Sequence, residues 1–253
     1  MDMSEMRLVS YADNGEDVVL MRAFHDRSAG TFVDVGAGDP TGGSVVKNLI
    51  EILGWSGVHV EPDPVFAARL ESAYPTDIVV RSAIGSHSLT APYYTFPGSG
   101  GLSTLDRRLA RRHEAAGYEM TESTVVLRPL DDILREADVR PGFNLLKIDV
   151  EGWEEEVLAG ARLKHWQPRV VAIEATEPHS RVRVGPGAER FIRSAGYELA
   201  LFDGLNQFFV RNDEVELRAL LSVPANVFDR YIHYRWYQLL PEPLRPTVRF
   251  CPW

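Results

Sequence analysis

Four acids stand at or near the ends of apolar runs in this 253-residue chain: Asp34, Glu61, Asp149 and Glu174. Asp34 lies in Thr31-Phe32-Val33-Asp34-Val35-Gly36-Ala37-Gly38, where an apolar run breaks into a glycine turn. Glu61 closes Val58-His59-Val60-Glu61-Pro62-Asp63, 27 positions after Asp34 (61 − 34). A strand, a tight turn and a second strand ending on an acid is how α/β folds hold a nucleoside. The turn lets backbone approach the ligand, and the acid accepts hydrogen bonds from the ribose hydroxyls. Asp34, Gly36, Ala37, Gly38, Glu61 and Pro62 are therefore candidate cofactor contacts. Asp63 either joins them or caps the helix that Pro64 opens. Ser82, Ala83 and Ile84 end a third strand, where an adenine would lie between apolar side chains or where the strand simply stops.

The spacing discriminates between nucleosides. A nicotinamide dinucleotide site wants G-x-G-x-x-G, but after Gly36 and Gly38 the third position is Thr41, with Gly42 and Gly43 late. A pyrophosphate near Asp34 would also be repelled. S-adenosylmethionine (SAM) carries an ammonium and a sulfonium and no phosphate, so nearby carboxylates attract it. The acid before a short glycine turn favours SAM.

A second constellation is Asn144-Leu145-Leu146-Lys147-Ile148-Asp149-Val150-Glu151-Gly152. Asp149 emerges at the carboxyl end of a buried strand, where open α/β sheets place their ligands. Two carboxylates two apart beside a lysine are costly to bury without partners. Glu154, Glu155 and Glu156 read as a favourable helix start. Glu174 ends the next strand, and His179 in the following loop titrates near neutral pH. Asp149, Lys147, Glu174 and His179 are the candidate catalytic residues, and Asp149 is a candidate cofactor contact as well. Asp203-Gly204-Leu205-Asn206 either lies over the same sheet edge or is a turn chosen for its backbone shape.

These residues need a frame. Strands and helices alternate along the chain, which argues for an α/β fold with a mostly parallel sheet covered on both faces. The pattern predicts helices over Gly15–Phe24, Gly43–Leu53, Pro64–Ala73, Thr104–Gly117, Leu130–Ala137, Trp153–Gly160 and Ala188–Ala195. It predicts strands over Thr31–Val35, Gly57–Glu61, Ile78–Ala83, Ala91–Phe96, Asn144–Asp149 and Arg169–Ala175. Thr124–Arg128 reads as an edge strand because Pro129 follows it. Tyr197–Asp203 and Gln207–Val210 form a terminal antiparallel hairpin. Residues 1–211 read as one domain with a helical lead-in over 1–27. Residues 212–253 read as a helical appendage, with helices over Val215–Leu221 and Val227–Leu240. Gly98–Leu105 reads as a lid.

Net charge is −9, which disfavours a polynucleotide partner. Arg107, Arg108, Arg111, Arg112 and His113 form a basic island suited to an anionic acceptor, or a solvated helix face. Tyr231, Tyr234, Trp236 and Tyr237 suit packing against the core or a second subunit, or stacking on a sugar. One cysteine, Cys251, and no apolar run of membrane-spanning or signal length point to a cytoplasmic protein.

Over roughly Ser10 to Val210 the chain resembles the FkbM family of SAM-dependent methyltransferases. The blocks that carry the resemblance are Ser10-Tyr11-Ala12-Asp13-Asn14-Gly15-Glu16-Asp17, Phe32-Val33-Asp34-Val35-Gly36-Ala37, Val60-Glu61-Pro62, Leu146-Lys147-Ile148-Asp149-Val150-Glu151-Gly152 and Phe202-Asp203-Gly204-Leu205-Asn206-Gln207-Phe208-Phe209-Val210. Ala12-Asp13 departs from the serine-glutamine usual in the family. The resemblance implies a class I methyltransferase fold, Rossmann-like and seven-stranded, with SAM at the glycine turn and Glu16 at its edge. It implies methyl transfer to a hydroxyl of a sugar, glycan or natural product. Some related sugar O-methyltransferases use a divalent metal such as magnesium, for which Asp149, Glu174 and Asp203 would be the ligands. A non-catalytic SAM-binding subunit and a methyltransferase for proteins or other small molecules are the alternatives.

Overall fold

The computed structural model describes residues 6–98, 101–177, 182–183, 186–245 and 250. The chain opens with a short strand, β1 (Leu8–Ser10), and helix α1 (Glu16–Phe24). Then β2 (Thr31–Val35), α2 (Lys47–Leu53), β3 (Ser56–Val60), α3 (Pro64–Ala73) and β4 (Ile78–Val80) alternate. The bounds of β2 and α3 are those the sequence predicts. At α3 the physical signal is strong: the Asp63 carboxylate accepts from the Val65 and Phe66 N–H groups, at 2.7 and 3.3 Å, and proline fills the first helical position. Helix α2 starts four residues later than predicted. Gly43 has a left-handed φ of 81°, and the Ser44 hydroxyl accepts from Lys47 N–H at 3.2 Å, so this stretch is a turn.

The predicted strand over Ile78–Ala83 splits. Its first part is β4, and its end, β5 (Ala83–Ile84), leaves the main sheet for a small one. That small sheet holds β5, β6 (Leu89–Thr95) and β7 (Thr121–Arg128), with β7 in the centre and not at the edge. The proline that marks an edge is Pro92, inside β6; Pro129 lies beyond the end of β7 and interrupts nothing.

Helix α4 (Arg107–Ala115) connects β6 to β7, and α5 (Leu130–Glu136) follows β7. Then come β8 (Leu145–Ile148), α6 (Glu154–Ala159), α7 (Leu163–Trp166), β9 (Val170–Glu174) and α8 (Gly187–Ser194). A hairpin of β10 (Tyr197–Phe202) and β11 (Asn206–Arg211) completes the sheet. The seven-stranded order is β10-β11-β9-β8-β2-β3-β4, and only β11 runs against the others. This is the α/β fold with a mostly parallel sheet and terminal hairpin expected from the sequence.

Each face of the sheet buries its own core. Val33, Val35, Val58, Val60, Leu146 and Ile148 pack on one side with residues of α5, α6 and α8. Phe32, Leu145, Val170 and Phe208 pack on the other with residues of α1, α2 and α9 (Val215–Leu221). The period of two that separates Phe32 from Val33 puts Asp34 on the α1 side, a position that matters below.

The predicted helix over Val227–Leu240 is not one element. Val227–Asp229 is a single 3-10 turn, β12 (Tyr231–His233) pairs in parallel with β1, and α10 (Tyr234–Tyr237) is one short turn. Arg230 takes a left-handed φ of 52°, which stops a helix. The contact that holds this segment comes from far away in sequence. Arg22 on α1 reaches Asp229 at 3.0 and 3.1 Å, and Asp229 is 2% exposed. Removing one partner of a buried ion pair costs about 3–5 kcal/mol. Arg22→Ala is therefore expected to lower the unfolding free energy by about 3 kcal/mol, read by urea denaturation; a loss below about 1 kcal/mol would contradict this role for the pair.

Candidate active site

Parallel register brings the acids together. Val35 is level with Val60 on one side and Ile148 on the other, and Ile148 is level with Ile173. The residues that follow these strand ends therefore leave the sheet at one edge: Gly36, Glu61, Asp149 and Glu174. Gly36, Ala37, Gly38, Glu61, Pro62, Ser82, Ala83, Ile84, Lys147, Asp149 and Glu174 all line one cleft there, and so does Glu16.

The two glycines do different work. At Gly36 (φ 75°) a Cβ would stand 1.8 Å from the Asp149 carbonyl oxygen, so the turn can approach β8 only without a side chain. At Gly38 (φ 61°) nothing lies within 4 Å of that position, and the N–H donates to a Glu61 carboxylate oxygen at 2.7 Å. The other Glu61 oxygen accepts from Asp63 N–H at 2.8 Å. Burial pushes the Glu61 carboxyl up to about 7, against these two hydrogen bonds. Farther along, the Ser82 hydroxyl is buried with no hydrogen-bond partner among the described residues, and Ser82, 2% exposed, lines the cleft. An orphaned donor of this kind suits a polar ligand atom. Asn206, in the turn read as lying over this edge, does line the cleft, whereas sequence reasoning missed Phe66 and Tyr93, which line it too. They arrive from distant segments and carry no motif.

Asp34 is not among the cleft-lining residues. It is 1% exposed, sits level with Lys147 on the neighbouring strand, and lies 3.2 Å from the ammonium. Lys147 also donates to the Gly36 carbonyl at 2.7 Å and lies 3.6 Å from Asp149. Burial alone would lower the lysine; Asp34 and Asp149 outweigh it and raise it, so the ammonium stays charged. Asp34 is thus the counter-ion of Lys147 behind the turn, and the sequence expectation of a direct ligand contact is corrected.

Asp149, Glu151 and Glu174 bring one carboxylate oxygen each to within 4.8 Å of one another. Asp203 is not in this group: its Oδ1 accepts from Leu205 and Asn206 N–H, at 2.9 and 2.7 Å, inside the hairpin turn. Glu151 takes its place because it has a left-handed φ of 52°, a strained conformation that turns the chain after β8. Burial and the Asp149 charge raise both Glu151 and Glu174 well above the usual carboxylate range. Like charges this close do not all ionise, so protons remain on the cluster at neutral pH. Glu154 buttresses the loop by accepting from Gly152 N–H at 3.1 Å. Glu16 stands on the Glu174 side: Asn206, level with Glu174 on the neighbouring strand, donates to one of its oxygens and Asn14 N–H to the other. Burial pushes Glu16 up to about 8.

Other expectations are resolved locally. Asp63 caps α3, as above, and lines the neighbouring cavity instead of this cleft. His179 lies outside the described residues. Of the loop read as a lid, Ser103, Thr104 and Leu105 do line the cleft, and Thr104 Oγ1 donates to the Glu151 carbonyl at 2.7 Å. The basic island is partly neutralised: Arg112 lies 3.1 Å from Glu177 and Arg111 3.0 Å from Glu114.

Together, fold and site define an α/β protein with an acidic cleft at one edge of its sheet. The family model for the methyltransferase FkbM domain matches residues 34–199. The chain belongs to the FkbM methyltransferase family and carries its methyltransferase domain. A curated relative, methyltransferase sdnD of Sordaria araneosa, is 30% identical over 141 residues, covering 47% of this chain and 53% of that protein. The chain thus spans about half the length of the curated relative it matches. Among solved structures, an FkbM methyltransferase from Methylobacillus flagellatus is similar at 18% identity and a TM-score of 0.45, over 72% of this chain and 43% of that one. A TehB-like SAM-dependent methyltransferase from Corynebacterium glutamicum is similar at 13% identity and a TM-score of 0.43, over 79% and 88% of the respective chains. No helix among the described residues is long and apolar enough to cross a membrane.

The raised Glu174 sets a pH dependence with a definite sign. A carboxyl whose folded value is raised stabilises the fold below its ordinary value, and that contribution is lost as pH rises toward the raised one. Glu174→Gln removes the penalty. It is expected to be more stable than the parent by on the order of 1–3 kcal/mol at about pH 8, and equal to it near about pH 4. Denaturation curves at the two pH values check this; equal stability at both would contradict it.

Proposed function

We propose that this protein is a SAM-dependent O-methyltransferase that transfers a methyl group to a hydroxyl of a sugar, glycan or natural product. The observation that carries the reading is the composition of the cleft. Its one lysine is already balanced by Asp34, so Glu16, Glu61, Asp149, Glu151 and Glu174 leave it net acidic. A unit positive charge about 5 Å from one carboxylate gains on the order of 3 kcal/mol at an effective dielectric of 20. That favours a cationic nucleoside over a dinucleotide pyrophosphate. The residues present fit SAM: Glu61 would accept from ribose hydroxyls, Gly38 would leave room for the ligand, and the orphaned Ser82 hydroxyl would face a polar atom of it.

SAM supplies an electrophilic methyl group on a cationic sulfur. The protein supplies placement and a proton acceptor. Holding both reactants in one cleft removes much of the entropy barrier of a two-molecule reaction. Asp149, 3.6 Å from the Lys147 ammonium, takes the proton that the acceptor hydroxyl loses, a role worth about 10²–10⁴-fold in rate. Lys147 fixes Asp149 and the Gly36 turn relative to each other. A second reading adds a divalent cation such as magnesium on Asp149, Glu151 and Glu174, whose oxygens suit a hard cation. It predicts loss of activity in EDTA and its return on adding magnesium.

Asp149→Asn is expected to abolish transfer of labelled methyl from SAM to hydroxylated acceptors while leaving SAM affinity within a few-fold. Full activity in that variant would remove Asp149 from the role. Binding of a cation is also expected to draw protons off Glu61 and the carboxylate cluster. SAM affinity should therefore rise between about pH 6 and about pH 8, with proton release in calorimetry in two buffers. A flat or falling profile would contradict an acidic cofactor cleft.

A further inference from the structure

Beside the cofactor cleft lies a second cavity of about 730 Å³. Asp13, Gly43, Phe66 and Ser103 line both, so the two spaces meet. Its size falls in the range of pockets for small organic molecules, ~300–1,000 Å³. Tyr11 and Tyr234, with ring centroids 5.0 Å apart, supply part of its wall, and Phe66 on α3 and Phe96 just past β6 supply more. Tyr234 reaches it because β12 pairs with β1, which also carries the chain into Tyr11.

The charges of this groove are nearly all satisfied internally. Asp39 Oδ1 accepts from Thr41 and Gly42 N–H at 2.9 and 3.0 Å, and its Oδ2 pairs with Arg69 at 2.7 Å. Asp63 caps α3, which closes that helix terminus to an anion. Two charged side chains of opposite sign remain. Arg235 lies 5.3 Å from the Trp236 ring centroid. The Asp13 carboxylate accepts no hydrogen bond and makes no ion pair among the described residues. It is influenced by Asp149 and Lys147 of the cleft and by Arg235 and His233 of the groove. Gly43 leaves it space, since a Cβ there would stand 3.3 Å from Asp13 Oδ2. A phosphate or nucleotide-sugar needs several free cationic or backbone donors converging on it. This groove offers aromatic walls, balanced charge and one unpartnered carboxylate at the junction.

We propose that the groove receives the methyl acceptor as a neutral, ring-bearing molecule, with the hydroxyl held by Asp13 where groove and cleft meet. This rests on the methyl-transfer reading above and narrows its acceptor. The rings of Tyr11, Phe66, Phe96 and Tyr234 bury the acceptor's apolar body, and Asp13 accepts a hydrogen bond from its hydroxyl. That hydrogen bond orients the hydroxyl in the bound state; its one proton passes to Asp149 as the methyl is transferred.

Saturation-transfer NMR on the full chain, saturated with S-adenosylhomocysteine, tests this with three probes: 2-naphthol, 2-methoxynaphthalene and glucose 6-phosphate. The expected result is that 2-naphthol binds, 2-methoxynaphthalene binds more weakly, and glucose 6-phosphate does not bind. Tyr234→Ala is expected to weaken 2-naphthol about 3–10-fold with S-adenosylhomocysteine affinity unchanged. Tyr11→Leu serves in its place if that variant does not fold. Asp13→Asn is expected to shrink the preference for the hydroxyl over its methyl ether to within about twofold. Binding of glucose 6-phosphate in place of 2-naphthol overturns the proposal, as does 2-naphthol affinity unchanged in the wall variant. S-adenosylhomocysteine binding without 2-naphthol binding overturns this inference alone. Absence of S-adenosylhomocysteine binding overturns the methyl-transfer reading and this inference with it.

Discussion

Lys147 is the constraint on which the site depends. One buried ammonium holds the Gly36 carbonyl of the turn, the Asp34 carboxylate behind it and the Asp149 carboxylate in front. Those three groups come from β2, from the turn after it and from the end of β8. Fixing them to one cation ties the turn after β2 to the end of β8. The Cβ clash that bars a side chain at Gly36 is the steric counterpart of the same closeness. A buried charge is tolerated only with good partners, and here Asp34 balances the lysine from the core side. The carboxylates on the solvent side are then free to define an acidic cleft.

From that point the chemistry follows in order. The acids beyond Lys147 outnumber the cations, crowd one another, and retain protons that a cationic ligand would displace. Glu61 and Ser82 line the same edge, where the proposed nucleoside would extend. The neighbouring groove, with balanced charge and aromatic walls, supplies a different environment for the second reactant. On the proposed reading, electrostatics would sort a charged cofactor from a neutral acceptor before any contact is specific.

Much of this was legible in the sequence, for stated reasons. Strand β2 is a buried run ended by glycine, and α3 has aspartate before proline, so their bounds could be read directly. The strand-end acids were legible because parallel strands entering one sheet must release their ends at one edge. Asp34 was misplaced because its direction depends on which strand lies beside β2; only in register with Lys147 does it become a counter-ion. Glu151 was invisible as a member of the carboxylate cluster because a left-handed backbone at that residue, not its spacing, turns it inward. The split between β4 and β5 carries no glycine or proline, so nothing in the chain announces it. Strand β12 exists because β1 pairs with it, and a three-residue strand has no periodicity of its own.

The most direct test of the Lys147 constraint is a double-mutant cycle with Asp34→Asn and Lys147→Met. Unfolding free energies are measured for the parent, both single variants and the double. Each single variant leaves a buried group unbalanced and is expected to lose about 3–5 kcal/mol. The double variant is expected to recover much of that loss, giving a coupling of on the order of 2–3 kcal/mol. Additive losses, with no coupling between the two positions, would contradict the claim that this pair organises the site.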